Sequence, residues 1–264
     1  MASRRSKRPN AAERALFVKR VALSVPPGSE LPRGHPFDLA AVRHLGEREL
    51  RSPVTVFVGE NGIGKSTLLE ALAVAVGLNP EGGSRNLRFA TRNTHSALHR
   101  SLLVARGPTL PRDAFFLRAE SFYNVASKID ALDAHPDNAC EDGPRLIESY
   151  GGKSLHEQSH GESFLTLFLE RMGGRGLYLL DEPEAALSPQ RQLSLLVRMH
   201  DLVAAGSQFI LATHSPILMA HPGADIWLFG PDGITNTTAA ATEHWQITKQ
   251  FLNDPEAMLR ELFS

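Results

Sequence analysis

The chain has 264 residues, of which 42% are hydrophobic and 22% are charged, and its formal net charge is −1. This composition is typical of a globular protein, and the small net charge excludes a global attraction to nucleic acid or anionic lipid. The single cysteine, Cys140, excludes an intrachain disulfide. No apolar run approaches the roughly 18 residues that a membrane-spanning helix needs. We therefore expect a cytoplasmic protein with no transmembrane segment of its own.

Residues 1–12 are basic and lack an apolar stretch, so they are predicted to form a disordered tail, with an electrostatic contact to nucleic acid as the alternative. Residues 13–264 are predicted to form a single α/β domain. Apolar runs, glycine breaks and capping residues predict its elements in chain order. Strands are expected at 16–23, 54–59, 114–120, 177–180, 208–213 and 226–229, and helices at 66–77, 162–172, 188–206 and from 254 onward.

Two segments stand apart from this alternation. Residues from about 80 to 160 are predicted to form an insert with a helical subdomain. From Arg85 to Arg118 this insert carries seven arginines and one acid, Asp113, which indicates either a solvated face or a nucleic-acid surface. Residues 243–264 are predicted to form helices packed on the core, docked through Met258, Leu259, Leu262 and Phe263.

The stretch GENGIGKST at 59–67 follows a predicted strand and opens a predicted helix. It fits the pattern of a phosphate-binding loop, in which glycines let backbone N–H groups converge on phosphate oxygens. The lysine places a charge on the terminal phosphates, and the next hydroxyl can bind Mg²⁺. The sequence therefore predicts a nucleoside triphosphate site that comprises Gly59, Glu60, Asn61, Gly62, Gly64, Lys65, Ser66 and Thr67.

Two further strands end in polar residues. The run LYLLDEPE at 177–184 ends in Asp181, a candidate Mg²⁺ ligand, and Glu182, a candidate base for an attacking water. The run ATHSP at 212–216 places His214 at the end of the next strand. Because parallel strands end at one edge of a sheet, His214 is expected to contact the terminal phosphate or the attacking water.

These segments, with QSHGE and AALS, resemble the ATP-binding-cassette class of ATPases. GENGIGKST is similar to its Walker A motif, LLDEPE to Walker B, AALS to the D-loop and THS to the H-loop. Residues 159–162, SHGE, resemble the end of the signature motif LSGGQ. The resemblance implies a P-loop NTPase fold, with a mixed sheet, helices on both faces and a helical signature subdomain.

The resemblance also implies that ATP and Mg²⁺ are bound and that two copies close head to tail around two ATP molecules. Ser159, Gly161 and Glu162 would then contact the nucleotide held by the partner copy. Two positions depart from the family pattern, since His160 replaces a glycine and Glu120 stands where the Q-loop glutamine is expected, as a further candidate Mg²⁺ ligand. Phe17 and Phe37 are candidates for adenine stacking, with core packing as the alternative.

Only 94 residues separate Lys65 from Ser159, too few for the long coiled-coil insertions of chromosome-maintenance ATPases. The segments DEPEAALSP and ATHSPILMA resemble the RecF-like, SMC-like and overcoming-lysogenization branch, and small bacterial AAA/ABC ATPases, more than transporter subunits. The interpretation is an ATP-driven switch that acts with DNA or a partner protein. The alternatives are a transporter ATP-binding subunit and a small-molecule kinase.

A zinc cluster of His135, Cys140, His156 and His160 is disfavoured because its spacing follows no established pattern.

Overall fold

The computed structural model describes residues 16–24, 30–84, 96–119 and 160–264, and it describes 160–162 by backbone alone. Several positions discussed above therefore lie outside the described residues: the basic tail 1–12, Glu120, Ser159, and His135, Cys140 and His156 of the disfavoured zinc cluster.

In these ranges the chain forms ten strands and seven α-helices. The strands are β1 (Val18–Leu23), β2 (Glu47–Glu49), β3 (Val54–Val58), β4 (Gly83–Ser84), β5 (Leu102–Arg106), β6 (Asp113–Arg118), β7 (Gly176–Asp181), β8 (Gln208–Ala212), β9 (Asp225–Gly230) and β10 (Gly233–Thr237). The helices are α1 (Ala40–Arg43), α2 (Lys65–Ala75), α3 (His160–Thr166), α4 (Pro189–Ala204), α5 (Pro216–Met219), α6 (Glu243–Asn253) and α7 (Pro255–Leu262). Short 3₁₀ turns lie at Ala97–Ser101, Pro183–Ala186 and Ala239–Ala241, and a π-helical turn, Leu167–Arg171, extends α3.

A seven-stranded sheet carries the phosphate loop. Its strand order is β10-β9-β3-β8-β7-β6-β4. The five central strands are parallel, and the edge strands β10 and β4 are antiparallel to their neighbours. The strands β3, β7 and β8 are buried along their whole length, which explains their nearly continuous apolar sequences. Because β3, β8 and β7 are adjacent and parallel, their carboxyl ends meet at one edge.

Helices cover both faces of this sheet, as predicted. Alternate residues of β7 divide between the faces: Leu177 and Leu179 pack on the α2 side, and Tyr178 and Leu180 pack on the side of α3 and α4. Helix α4 begins at Pro189, and the Ser188 side chain caps it by accepting a hydrogen bond from the Arg191 N–H. The predicted fold class, a P-loop NTPase with a mixed sheet, is confirmed.

A smaller antiparallel sheet, with order β2-β1-β5, packs on the α2 side. The buried side chain of Gln208, in β8, joins it to the main sheet. Its Oε1 accepts hydrogen bonds from the N–H groups of Phe17 and Val18, each at 2.9 Å, and its Nε2 donates to the Val18 carbonyl at 2.8 Å. One polar side chain thus satisfies three backbone groups at the start of β1.

Two predictions about the outer parts of the domain are wrong. The insert does not begin near residue 80, because β4 and β6 belong to the main sheet and β5 pairs with β1. The last helix does not dock through Leu262 and Phe263, whose exposed fractions are 65% and 83%. Helix α7 instead lies against α6.

Candidate functional site

The phosphate loop runs from β3 to α2, as its sequence predicts. Its glycines have positive φ angles: 149° at Gly59, 76° at Gly62 and 109° at Gly64. Gly59 is also pressed against β9, because a Cβ atom there would lie 2.5 Å from the Phe229 carbonyl oxygen. These glycines therefore give the loop a path that side-chain-bearing residues rarely adopt.

Lys65 begins α2 and is 4% exposed. Its Nζ donates hydrogen bonds of 2.8 Å to the carbonyl oxygens of both Gly59 and Glu60, so the ammonium group lies inside the loop. Burial lowers the pKa of Lys65, and the nearby carboxylates of Glu182 and Asp181 oppose that shift. A phosphate group bound in the loop would place a further negative charge beside the buried ammonium group of Lys65.

Ser66 links the loop to the end of β7. Its hydroxyl donates a 2.8 Å hydrogen bond to Oδ1 of Asp181, which is 4% exposed. A hydroxyl and a carboxylate oxygen are hard donors of the kind Mg²⁺ prefers, and that ion is normally completed by waters and phosphate oxygens. Ser66 and Asp181 therefore fit Mg²⁺ and would hold it beside the terminal phosphates.

Arg118, at the end of β6, borders the same carboxylate. Its Nε lies 3.4 Å from Oδ2 of Asp181, and its Nη1 donates a 2.7 Å hydrogen bond to Glu70 on α2. The guanidinium group therefore ties the Walker B-like strand to the helix that follows the loop. It holds the Asp181 side chain toward Ser66.

Glu182 has an unusual backbone conformation for a residue other than glycine. Its φ and ψ angles are 49° and 51°, in the left-handed region. The Glu182 N–H donates to the Ala212 carbonyl in β8, and its own carbonyl accepts from the Ala185 N–H. Non-glycine residues in this region are strained and are often found at functional sites. The two adjacent acids have different neighbours, since Asp181 contacts Ser66 and Glu182 lies beside His214.

His214 follows β8, next to Glu182. Its Nε2 lies 3.8 Å from Oε1 of Glu182, and its backbone N–H donates a 2.6 Å hydrogen bond to Glu184. Its Nδ1 lies 2.9 Å from Nε2 of His244, on α6. Burial, followed by the charge of Lys65, lowers the pKa of His214, which favours the neutral ring.

The remaining predicted site residues have mixed outcomes. Asn61 and Gly62 lie exposed at the tip of the loop, and Thr67 lies in the first turn of α2. Gly161 and Glu162 lie in α3, where only their backbone is described, and the candidates Ser159 and Glu120 lie outside the described ranges. Phe17 and Phe37 are 5% and 6% exposed within the core, which fits packing rather than adenine stacking.

Sequence reasoning missed three residues at the site: Arg118, Glu184 and His244. Arg118 lies inside the strand predicted at 114–120, and in the structure it ends β6, beside the strand that carries Asp181. Glu184 stands in the quoted segment LYLLDEPE but was given no role. His244 lies 30 residues beyond His214, at the start of the predicted C-terminal helices, and no local pattern connects the two histidines.

Comparison with known families agrees with this geometry. One matching family model, described as "AAA domain, putative AbiEii toxin, Type IV TA system", covers residues 163–220. A second, described as "AAA domain", covers residues 42–105. The two matches contain the phosphate loop, Asp181, Glu182 and His214.

The chain is also similar to individual proteins. It is 31% identical over 186 residues to a Streptomyces coelicolor protein named "Putative ABC transporter ATP-binding protein", a match that covers 68% of this chain and 32% of that protein. It therefore spans about a third of that relative's length. It is 24% identical over 220 residues to the cobalt import ATP-binding protein CbiO of Salmonella paratyphi A, covering 76% of this chain and 79% of CbiO. A nucleotide-free ATP-binding cassette from an ABC transporter shows 15% identity and a TM-score of 0.49, covering 91% of this chain and 97% of that one.

The fold and the assembled site are those of a P-loop nucleoside triphosphate-binding domain. Family models described as AAA domains match the two parts of the chain that carry its motifs. Within the described parts of the chain, the longest and most apolar helices fall short of what a membrane crossing requires.

Proposed function

We propose that this chain binds ATP together with Mg²⁺ and hydrolyses it. The observation that carries the proposal is the 2.8 Å contact between Ser66, in the phosphate loop, and Asp181, at the end of β7. It joins the two motifs that must share one metal ion in a P-loop ATPase. In this proposal Lys65 and the loop amides hold the phosphates, and Mg²⁺ neutralises charge on the terminal phosphates when bound.

Glu182 and His214 complete the proposed reaction. Glu182 accepts a proton from the attacking water, and its exposed fraction of 42% leaves the carboxylate open to solvent. His214 contacts the terminal phosphate. Gly59, Glu60, Asn61, Gly62, Gly64 and Thr67 form the rest of the nucleotide cradle, and Glu120 is a further proposed Mg²⁺ ligand.

We further propose that two copies close head to tail, so that Ser159, Gly161 and Glu162 of one copy contact the ATP bound by the other. The cycle would act as a cytoplasmic switch in DNA maintenance or defence, in the RecF-like and SMC-like branch, acting with DNA or a partner protein. The defence role is supported by the description of the family model matched at 163–220. The arginine-rich stretch from Arg85 to Arg118 gives limited support to DNA contact, because Arg118 already forms ion pairs with Glu70 and Asp181.

A second candidate is the ATP-binding subunit of an ABC transporter, and the names of the Streptomyces and Salmonella relatives favour it. The two candidates differ in what the ATP-bound form captures. Binding to duplex DNA that weakens steeply with salt supports the first candidate. Co-purification with a membrane permease, with no DNA binding at low salt, supports the second.

The experiment that tests the activity compares three variants with the wild type. Lys65→Ala should lose ATP binding in calorimetry because the buried ammonium is removed. Glu182→Gln should keep ATP binding, lower phosphate release by about 10²- to 10⁴-fold, and accumulate as a dimer in light scattering with ATP. The control, Lys249→Ala, changes an exposed lysine on α6 and should behave as wild type. Undiminished ATP binding by Lys65→Ala would refute the loop assignment, and a monomeric Glu182→Gln at saturating ATP would refute the closed dimer.

A further inference from the structure

The first turn of α6 reaches the proposed catalytic site. His244 lies one residue into this helix, and its Nε2 is 2.9 Å from Nδ1 of His214, with the ring centroids 5.0 Å apart. Helix α6 buries none of its own residues, but hydrogen bonds hold its start in place. There Thr242 is fully buried, accepts the Trp245 N–H, and donates a 2.7 Å hydrogen bond to the Ala239 carbonyl. This cap fixes the position of His244 beside His214.

The two nitrogens of His214 have different surroundings. Nδ1 faces His244, whereas Nε2 is buried, faces Glu182 at 3.8 Å, and has no hydrogen-bond partner among the residues that the structure describes. A hydrogen bond between two neutral imidazoles needs one donor and one acceptor, and the choice determines which His214 nitrogen carries its proton. If His244 donates through Nε2, the proton of His214 must lie on its own Nε2. If His214 donates instead, its Nε2 presents a lone pair.

The charges around His214 favour a neutral ring, for which this choice matters. Burial disfavours a positive imidazolium most, and Lys65 and His244 add to this, while Glu182 and Glu60 favour it. Glu184 accepts a hydrogen bond from the His214 backbone N–H. A neutral His214 can donate to a phosphate oxygen only from a protonated nitrogen, and a lone pair at the same place would repel that oxygen.

We propose that His244 is a positioning residue that selects the Nε2–H form of His214 by donating a hydrogen bond to its Nδ1. In that form His214 directs an N–H group into the site, where it can donate to the terminal phosphate of bound ATP. The proposal rests on the proposed ATPase function for its kinetic consequence. The protonation state of His214 itself is a property of the protein without nucleotide.

The first test therefore uses no nucleotide and no activity. In protein with ¹⁵N-labelled histidine rings, imidazole nitrogen shifts at neutral pH should show His214 protonated on Nε2 and accepting a hydrogen bond at Nδ1. In His244→Phe the ring volume remains, and the hydrogen-bonded Nδ1 signal should shift to that of a free acceptor. The control His200→Phe changes an exposed histidine on α4 and should leave the His214 signals unchanged. A wild-type His214 that carries its proton on Nδ1 would overturn the proposal.

The second test measures phosphate release. His244→Phe should lower kcat by about two- to tenfold, the factor expected for one neutral hydrogen bond, and change KM for ATP less. His244→Gln retains an N–H donor at a similar reach and should recover most of the lost rate. Equal rates in all three proteins, or equal losses in both variants, would contradict the positioning role. A wild type without ATPase activity would refute the proposed function, while the nitrogen shifts would still decide the state of His214.

Discussion

Glu184 carries a carboxylate in an unfavourable position behind the site. Its Oε1 accepts the His214 N–H, but its Oε2 is buried without a hydrogen-bond partner in the described part of the chain. Burial raises the pKa of Glu184, and its hydrogen bonds, to His214 first, only partly oppose the shift. Folding therefore disfavours the ionised form of this residue.

This pKa shift predicts a pH-dependent effect of Glu184→Gln. Since the folded-state pKa lies above the unfolded value, the contribution of Glu184 to stability is full below the unfolded pKa and is lost as pH rises through the folded pKa. The amide cannot ionise, so the variant should gain free energy of unfolding relative to wild type between about pH 4.5 and pH 7. Urea denaturation at both pH values measures this. The exposed control Glu261→Gln should show little effect at either pH, and a Glu184→Gln difference that is independent of pH would contradict the prediction.

At the level of elements, the stability of the protein should depend strongly on the hydrogen bonds by which Gln208 links the two sheets. Gln208→Met keeps a side chain of similar length but leaves the N–H groups of Phe17 and Val18 and the Val18 carbonyl without their partner. Each buried group left unsatisfied costs about 1–3 kcal/mol. We expect a loss of several kcal/mol in the free energy of unfolding by chemical denaturation. Gln190→Met, at an exposed position of α4, should change it little; a similar loss there would show that the hydrogen bonds of Gln208 are not responsible.

The C-terminal helices contribute less to the core than their apolar residues suggest. Phe263 is 83% exposed, whereas Phe168, after α3, is fully buried. Phe263→Ala should change the free energy of unfolding by less than about 0.5 kcal/mol, and Phe168→Ala should lower it by about 3–5 kcal/mol. Thermal and urea unfolding of the two variants provide a matched comparison. A large loss from Phe263→Ala would mean that α7 is anchored more firmly than this structure shows.

At the scale of the whole molecule, local sequence patterns predicted the strands and helices that hold the site. They did not predict which distant strands pair with each other. The apolar runs at β3, β7 and β8, the glycines of the loop and the Ser188 cap are each read from a few neighbouring residues. The pairing of β5 with β1 joins residues that are 79 to 88 positions apart, and no pattern in either strand specifies its partner. Helix periodicity was also only partly informative, because not every apolar residue of α4 faces the core: Leu193 and Val197 are 53% and 62% exposed, while Leu195 is buried.

The residues of the site likewise divide into those that local patterns predicted and those that they did not. Lys65, Ser66, Asp181 and Glu182 were predictable because the chemistry of phosphate and Mg²⁺ demands those residue types directly after strands of a parallel sheet. Arg118 and His244 act on other side chains and not on the proposed ligand, so no ligand chemistry points to them. Their roles depend on distances that only the folded chain establishes: 3.4 Å from Arg118 Nε to Asp181, and 2.9 Å from His244 to His214.

The left-handed backbone at Glu182 implies that this position lowers thermal stability while it serves catalysis. A non-glycine residue in this conformation costs roughly 1–2 kcal/mol, whereas glycine adopts it freely and loses part of the benefit through its greater entropy when unfolded. Glu182→Gly should therefore unfold at the same or a higher temperature than Glu182→Gln, which keeps the strained backbone, while both release phosphate slowly. A lower melting temperature for the glycine variant would contradict this. If the prediction holds, the Glu182 carboxylate is retained at a position where glycine would be at least as stable, as expected when selection favours activity over stability.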